Sequence, residues 1–494
     1  MATMAAVDLG AQSGRVAIGR FDGERLSVSE LHRFPNVPVR TRGTLQWDVL
    51  RLYTDVLGGL RRAADEARID SVAVDSWAVD FGLLDTRGRL VRNPTHYRDA
   101  RRARAVAEVL ERIPVRELYE RTGIQLLPIN TLFELGAMSS DDDPALRIAE
   151  RLLLIPDLIQ YWLAGTRTTE YTNASTTQCL DRSGTWARDL LERLEIDTEL
   201  FGEVVPAGTR LGALAPDVAE DTGLGDAQVI ATATHDTAAA VAAVPFDRSD
   251  AAYISAGTWS LVGLELAEPL IDERTFGANL TNEGGVAGTT RLLRNVTGLW
   301  LLEECRRAWG LPAEAVTDLV DLARRAAPLQ ALVDVDDPLF APPGDMPQRV
   351  RESCAGTKQS IPEDRGAVVR CILESIAAKH AFAIELLRAA TGVAPSAVHI
   401  VGGGSQNDLL CQMTADATGL PVFAGPAEAT EIGNLLVQAI ALDEIGSLAE
   451  ARAVVRASFE PLAYEPRSID GWVEARERIE SSYRLPDPNA EVTA

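Results

Sequence analysis

Three places in the chain set a carboxylate or a glycine run at the end of an apolar stretch. Ala6-Val7-Asp8-Leu9-Gly10 reads as a buried strand that runs into the small polar turn Ala11-Gln12-Ser13-Gly14. An aspartate there could hold a divalent cation, directly or through water, while amides around Gln12, Ser13 and Gly14 face phosphate oxygens and Arg15 adds positive charge. A plain hairpin with a solvated aspartate fits the same residues. His235-Asp236-Thr237 ends the apolar run from Gln228 to Thr234 and opens a stretch of alanine and valine from Ala238 to Val244. Asp236 suits either a helix cap or a general base at the mouth of a cleft. Gly402-Gly403-Gly404 follows Ala397-Val398-His399-Ile400-Val401, and with no Cβ in the way a flat ring or a phosphate can approach the backbone. A dinucleotide would suit that turn equally well.

Phosphoryl transfer from a nucleotide asks for these parts and little more. It needs amides that cradle phosphates, a carboxylate near a metal and a base beside the acceptor hydroxyl, because positioning and charge stabilisation carry most of the rate. One carboxylate is enough where the acceptor is an alcohol and the transition state is loose.

The elements that would position these residues occur twice. After the first turn, Arg15 to Phe21 returns as a strand, Asp22-Gly23 is a hairpin signal, and Leu26, Val28, Glu30 and Leu31 continue a meander. Downstream, Tyr253 to Gly257 is again a strand into a turn, Thr258-Trp259-Ser260 carries the turn, and Leu261 to Leu266 returns. Gly10 and Gly257 stand 247 residues apart, half of the 494-residue chain, which points to an internal duplication. Two facing hairpin turns would clamp a polyphosphate between the halves. Other strands, at 69–74, 228–234 and 397–401, stop at polar residues, and the last is followed by a helix capped by Ser405 or Asn407. Strands that run into helices with polar residues at their carboxyl ends predict an α/β fold with its ligand along that edge. A linker at 245–250 divides the chain into 1–246 and 247–494.

Composition narrows the partners. The chain is 46% hydrophobic and 24% charged, and its 48 basic against 72 acidic residues give a formal charge of −24. No basic excess exists to neutralise a nucleic-acid backbone, so no nucleic-acid partner is expected, and an anionic ligand must be held by local features. Five scattered cysteines without a Cys-x-x-Cys pair suggest buried thiols rather than disulfides or zinc. The N-terminus lacks a basic leader and no apolar run reaches the roughly eighteen residues of a membrane span, so a cytoplasmic protein with no membrane partner is expected. His32, His96 and His380 lack ligand spacing, and the arginines from 98 to 104 read as an exposed helix face.

Ten segments in order carry a resemblance from Val7 to about Phe459. They are VDLGAQSGR, VDSWAVDFGLLD, YRD, RTGIQLLPINTLFEL, EYTNASTTQ, HDTAAAV, SAGTWSL, NLTNEGG, RNVTGLWLLEE and HIVGGGSQN. The chain resembles the FGGY carbohydrate kinases, and GIQLLPINTL, EYTNASTTQ and TNEGG place the likeness nearest the rhamnulokinase branch. The resemblance implies a duplicated actin-like, ribonuclease H-like ATPase fold whose two domains close over a cleft. It implies ATP and Mg²⁺, a sugar substrate, and phosphorylation of L-rhamnulose at O1, with another ketose such as L-fuculose or a pentulose as the nearest rival. Asp236 resembles the catalytic base and Asp8 the residue that holds Mg²⁺ through water. Ala11, Gln12, Ser13, Gly14 and Arg15 resemble the first phosphate loop, Gly257 and Thr258 the second, and Glu303, Gly403, Gly404 and Asn407 the nucleotide edge. Trp77, Ala78, Asp80, His235, Thr237 and Asn295 are similar in position to sugar-pocket residues, with Arg98 and Gln125 beside them, and Phe81 joins Trp77 as an apolar wall. Ala78 stands where the family pattern has Gly, Glu303 where it has Gln, and Gln12 where it has a small hydroxyl residue. A non-catalytic sensor on the same fold is disfavoured because Asp8, Asp236 and both turns are all present, and a dehydrogenase because no Rossmann glycine pattern follows the first strand.

Overall fold

The opening meander forms where alternation and turn chemistry demand it. In the computed structural model, which describes residues 1–248, 250–467 and 470–482, β1 (Ala2–Leu9) pairs antiparallel with β2 (Ser13–Phe21), and β2 with β3 (Leu26–Pro35). The crossover helix α1 (Val49–Glu66) returns the chain to β4 (Ser71–Ser76), which lies parallel to β1 on its other side. β5 (Thr209–Ala213) and β6 (Gln228–Ala231) complete a six-stranded sheet in the order β5-β6-β4-β1-β2-β3. Strand β6 stops at Ala231 rather than Thr234 because Thr232 and Thr234 turn away to hydrogen-bond Asn434 and Glu170.

The second half repeats the plan. β7 (Ala252–Ala256) and β8 (Trp259–Leu266) form the second hairpin, β9 (Thr281–Gly284) and β10 (Thr290–Thr297) extend it, and β11 (Val398–Val401) and β12 (Val422–Ala424) lie parallel beyond β7. With β13 (Leu462–Tyr464) the order is β9-β10-β8-β7-β11-β12-β13. Three antiparallel strands followed by two parallel ones appear in both sheets, the second adding β9 antiparallel beyond β10, so the duplication read from the spacing of Gly10 and Gly257 holds at the level of topology. The outer antiparallel strand differs: β5 precedes its neighbour β6 in the chain, whereas β13 follows its neighbour β12. Ser249, inside the expected linker, and residues 483–494 at the end of the second expected half lie outside the described residues.

Helices α2 (Ala100–Arg112) and α3 (Asp236–Ala242) belong to the first half. Helices α4 (Trp300–Ala308), α5 (Arg365–Thr391), α6 (Asp408–Thr418) and α7 (Ala429–Ala441) belong to the second. The alanine run of α3 is explained by what crosses it. Helix α7 passes so close that a Cβ at Gly433 would overlap the carbonyl oxygen of Ala239. One face of α7 then reaches into the first sheet at helical spacing. Glu431 pairs with Arg15, Asn434 Nδ2 donates to Asp75 Oδ2 at 2.6 Å, and Gln438 Nε2 donates to the Ala5 carbonyl at 3.1 Å. This buried crossing joins the halves at the floor of a cleft.

Candidate active site

One cavity of about 340 Å³ lies between the halves and takes residues from both. The turns after β1 and β7 enter it, with Gly10, Ala11, Gln12, Ser13 and Arg15 from one side and Gly257 and Thr258 from the other. Each turn is closed by a backbone bond, Gly10 N–H to the Ser13 carbonyl at 3.0 Å and Gly257 N–H to the Trp259 carbonyl at 2.7 Å. Gly298 braces the second turn: its N–H donates to the Thr258 carbonyl, and a Cβ there would come within 2.6 Å of the Trp259 backbone. Gly402 and Gly403 also line the cavity, and a Cβ on Gly403 would meet only open space.

Asp8 sits beneath the first turn, 5% exposed. Burial pushes its carboxyl up to about 6, the charge of Asp236 pushes the same way, and Arg15 opposes both. Arg15 spans two carboxylates, with Nη1 at 2.5 Å from Glu431 Oε1 and Nη2 at 3.7 Å from Asp8 Oδ2. Its guanidinium is thus held by the protein, while the side chain, 26% exposed, still lines the cavity. Burial, and then the charge of Asp8, raises Asp75, whose Oδ1 has no partner. Asp8 and Glu431 thus share the Arg15 guanidinium, while Asp236 and Asp75 are near enough to interact electrostatically with Asp8; the hard oxygens of Asp8 would suit a divalent cation. Among the described residues no three such side chains are close enough to cage an ion alone.

Asp236 opens α3 at the middle of the cavity and keeps 32% of its side chain open to it. Its Oδ1 accepts from the Thr237 N–H at 2.5 Å and the Thr237 hydroxyl at 3.1 Å. Burial raises it to about 6 despite these bonds, so it is ionised at neutral pH yet basic enough to take a proton. The segment before it is fixed by EYTNASTTQ. Glu170 accepts from the N–H and hydroxyl of Thr234, Thr172 Oγ1 accepts from the His235 N–H at 3.3 Å, and Asn173 donates to the Thr234 carbonyl at 3.2 Å.

Beyond Asp236 the cavity has two unlike walls. Trp77, Val79, Ile124, Leu127 and Ile129 make an apolar one, with Ala78 beside them. Gln125, Asn130, Thr176, Thr281, Glu283 and Asn295 make a polar one, joined by His235 and Thr237. The polar wall is tied across the halves, with Asn295 N–H and Nδ2 both on Gln125 Oε1 at 3.0 and 3.1 Å and the Gly284 N–H on Ser175 Oγ at 2.8 Å. Val79 adopts φ +69°, a left-handed conformation that costs a β-branched residue about 1–2 kcal/mol. Thr131 Oγ1 holds it there by donating to its carbonyl at 2.7 Å.

The two halves match the FGGY family of carbohydrate kinases, the N-terminal domain over residues 3–243 and the C-terminal domain over 252–442. The chain belongs to that family. This FGGY chain is 43% identical over 469 residues to a rhamnulokinase of Bacteroides thetaiotaomicron, covering 94% of this chain and 96% of the relative. A rhamnulokinase of Bacillus subtilis is 37% identical over 94% of this chain and 96% of its own length. In fold, a ligand-bound xylulose kinase from Lactobacillus acidophilus aligns over 97% of this chain and 96% of its own at a TM-score of 0.78, with 16% identity. A Plasmodium falciparum glycerol kinase with ADP aligns over the same shares at 0.76 with 14% identity. The protein is a carbohydrate kinase, a phosphotransferase with an alcohol group as acceptor, on the two-domain actin-like α/β fold.

Seven expected site residues of this FGGY kinase stand outside the cavity lining. Asp80, expected to meet sugar hydroxyls, is 1% exposed and saturated. Its oxygens accept from Trp47 Nε1 at 2.6 Å, Trp77 Nε1 at 3.0 Å, the Tyr97 N–H at 3.2 Å and Arg102 Nη2 at 2.5 Å. It therefore holds Trp77 from behind. Gly14 is turned to the other face of β2, where a Cβ would overlap the Phe34 ring. Gly404 packs on Ala256, whose Cβ would lie 2.5 Å from a Cβ added there. Asn407 caps α6 by accepting from the Leu410 N–H at 3.0 Å. Glu303 spends its carboxylate on Arg306 and Arg307 at 2.5 and 3.1 Å. Phe81 packs in a core behind the cavity rather than forming its wall. The arginine stretch is not simply an exposed face either: Arg102 is 1% exposed between Asp80 and Glu134. Arg98 crosses the cleft to stack on Trp300 at 4.3 Å. Motif reading gave no role to Gly298, Glu283 or Arg291, although RNVTGLW and TNEGG contain the first two.

Proposed function

We propose that the protein transfers the γ-phosphoryl group of ATP to the C1 hydroxyl of L-rhamnulose, giving ADP and L-rhamnulose 1-phosphate. One observation carries the reading: a carboxylate poised near 6 stands between backbone turns suited to phosphates and a chamber with one apolar and one polar wall. L-Rhamnulose is a ketose that ends in a methyl group, so it offers both faces such a chamber wants. The name shared by the curated relatives supports the same sugar.

In this reading Asp236 takes the proton of the C1 hydroxyl as the bond to phosphorus forms, and the Thr237 N–H and hydroxyl fix the carboxylate's aim. The amides of Ala11 to Ser13 and of Gly257 and Thr258 receive phosphate oxygens, and Gly403 leaves room for the nucleotide. Asp8 would hold Mg²⁺, which when bound would supply charge neutralisation at the phosphate oxygens. Trp77 and Ala78 border the methyl end, while His235, Asn295 and Gln125 meet hydroxyls. The halves divide at 246 and 247, and ATP supply makes the cytoplasm the place of reaction. The test is a reaction of purified protein with ATP, Mg²⁺ and L-rhamnulose followed by ³¹P NMR. A product phosphorylated at C1, absent with Asp236→Asn, is expected; phosphate at another carbon would overturn the assignment of the base.

A further inference from the structure

We propose that Arg291, contributed by the second half, is a positioning residue for the base: it fixes His235 as the tautomer protonated on Nε2, so that a neutral N–H donor faces Asp236 and the sugar chamber.

The geometry starts from a residue that can only donate. Arg291 on β10 is fully buried, its Nε donates to the Gly284 carbonyl at 2.9 Å, and its Nη2 lies 3.0 Å from His235 Nδ1. A guanidinium has no lone pair to offer and does not lose its proton, so Nδ1 must be the acceptor and the imidazole proton must sit on Nε2. Glu283 on β9 competes, because its Oε2 lies 3.5 Å from Nδ1 and would draw a proton there. The distances decide against it: the arginine is nearer, and it also takes the Glu283 carboxylate at 3.2 Å. On the far side of the ring, Nε2 faces Asp236 Oδ1 at 3.5 Å. The charged groups facing the ring are therefore Arg291 and Glu283 from the second half and Asp236 from its own segment. Burial, helped by Arg291, holds the imidazole well below its ordinary range, so it stays neutral. The His235 backbone cannot swing the ring away, since its N–H is bonded to Thr172 Oγ1.

Two consequences follow for the reading of Asp236 as base, on which this proposal rests. His235 can offer the substrate a hydrogen-bond donor but no acceptor, so the sugar atom beside it must be an oxygen lone pair. The donor is set by a contact between the halves, so it depends on both being in register.

Tautomers are read directly by long-range ¹H–¹⁵N NMR of histidine-labelled protein. With five histidines in the chain, His235 is assigned by its loss in His235→Gln. The wild type is expected to show protonated Nε2 and unprotonated Nδ1 at pH 7. Glu283→Gln should keep that pattern. Arg291→Met combined with Glu283→Gln removes the donor without leaving a buried charge unpaired, and should give mixed tautomers with kcat lower by about 10- to 100-fold than Glu283→Gln alone. The KM for ATP should stay unchanged. A wild-type ring protonated on Nδ1 overturns the proposal whether or not the variants fold, as does an unaltered tautomer in the double variant. Failure of Asp236→Asn to lose activity would instead overturn the base and leave the tautomer result standing.

Discussion

The two ends of the cleft are built from different material. At the end proposed for the nucleotide the lining is largely backbone: two closed hairpin turns and the glycines at 402 and 403, with Gly298 packed beneath. At the end proposed for the sugar it is side chain, and the halves are tied there by Gln125 to Asn295, Ser175 to Gly284 and Arg291 to His235. Backbone donors serve any polyphosphate, whereas side-chain walls can be varied to choose a sugar. The difference teaches where each kind of substitution should act: added bulk should damage the nucleotide end, and altered polarity should damage the sugar end. Asp236, at the junction, should be sensitive to both.

The sharpest break of this comparison is at the junction. Asp236→Asn preserves the bonds from Thr237, so the protein should fold normally and lose about 10²- to 10⁴-fold in kcat. Retention of more than about a tenth of the wild-type rate would remove Asp236 from the chemistry. Next is Asp80, which stands behind the sugar end without entering it. Asp80→Ala leaves Arg102 buried beside Glu134 alone and should cost about 3–5 kcal/mol of stability, seen as a lower denaturant midpoint. A sugar KM increase at unchanged stability would restore Asp80 to the pocket.

Two glycines sharpen the nucleotide end. Gly298→Ala drives a methyl into the second turn and should cost about 1–3 kcal/mol together with ATP affinity. Gly403→Ala meets open space, so thermal stability should hold while the KM for ATP rises. Equal loss of stability in both variants would contradict the division between brace and lining.

The smallest expected effects come from protons and metal. The carboxyls of Asp8 and Asp236 sit near 6 in the fold and near 4 in the unfolded chain, so the folded state binds more protons between those values. Their contribution to stability is therefore lost as pH rises from about 4 through about 6. Added Mg²⁺ should raise Tm at pH 7.5 more than at pH 5, and Asp8→Asn should raise Tm in metal-free buffer while abolishing most of that response. With Asp236 acting as the ionised base, kcat/KM should climb through pH 6 and level off above it. A Mg²⁺ response equal at both pH values would contradict the placement of the cation among these carboxylates.

Some of this site is legible in the chain and some is not. Asp8, Asp236 and the glycines at 10, 257 and 403 lie in local patterns, an apolar strand breaking into a turn or helix, and such patterns survive without knowledge of the fold. Glu283, which lines the cavity, and Arg291, buried behind it, act through contacts between residues far apart in the chain, which no local period encodes. Asp80 belongs to a segment that resembles a sugar pocket, yet neighbouring residues in a turn face different ways, and Arg102 on a later helix draws Asp80 inward. Arg102 itself looked exposed because arginines usually are; only its pairing with Asp80 and Glu134 permits burial. The duplication was legible from two similar hairpins at half-length spacing, but not the change in chain order of the outer strand.

The measurement that bears most directly on the function is a side-by-side determination of kcat/KM with ATP and Mg²⁺ over a set of ketoses. In the proposed function the apolar wall would recognise one methyl, worth about 1–3 kcal/mol, so the 6-hydroxy analogue of L-rhamnulose should be disfavoured only partially. Epimers at carbons facing the polar wall should fare worse, because a misplaced hydroxyl leaves a buried polar group unpaired. L-Rhamnulose is predicted to rank first, the 6-hydroxy analogue of the same stereochemistry next and the epimers last. A higher kcat/KM for L-fuculose or for a pentulose would contradict the sugar assignment while leaving the family intact.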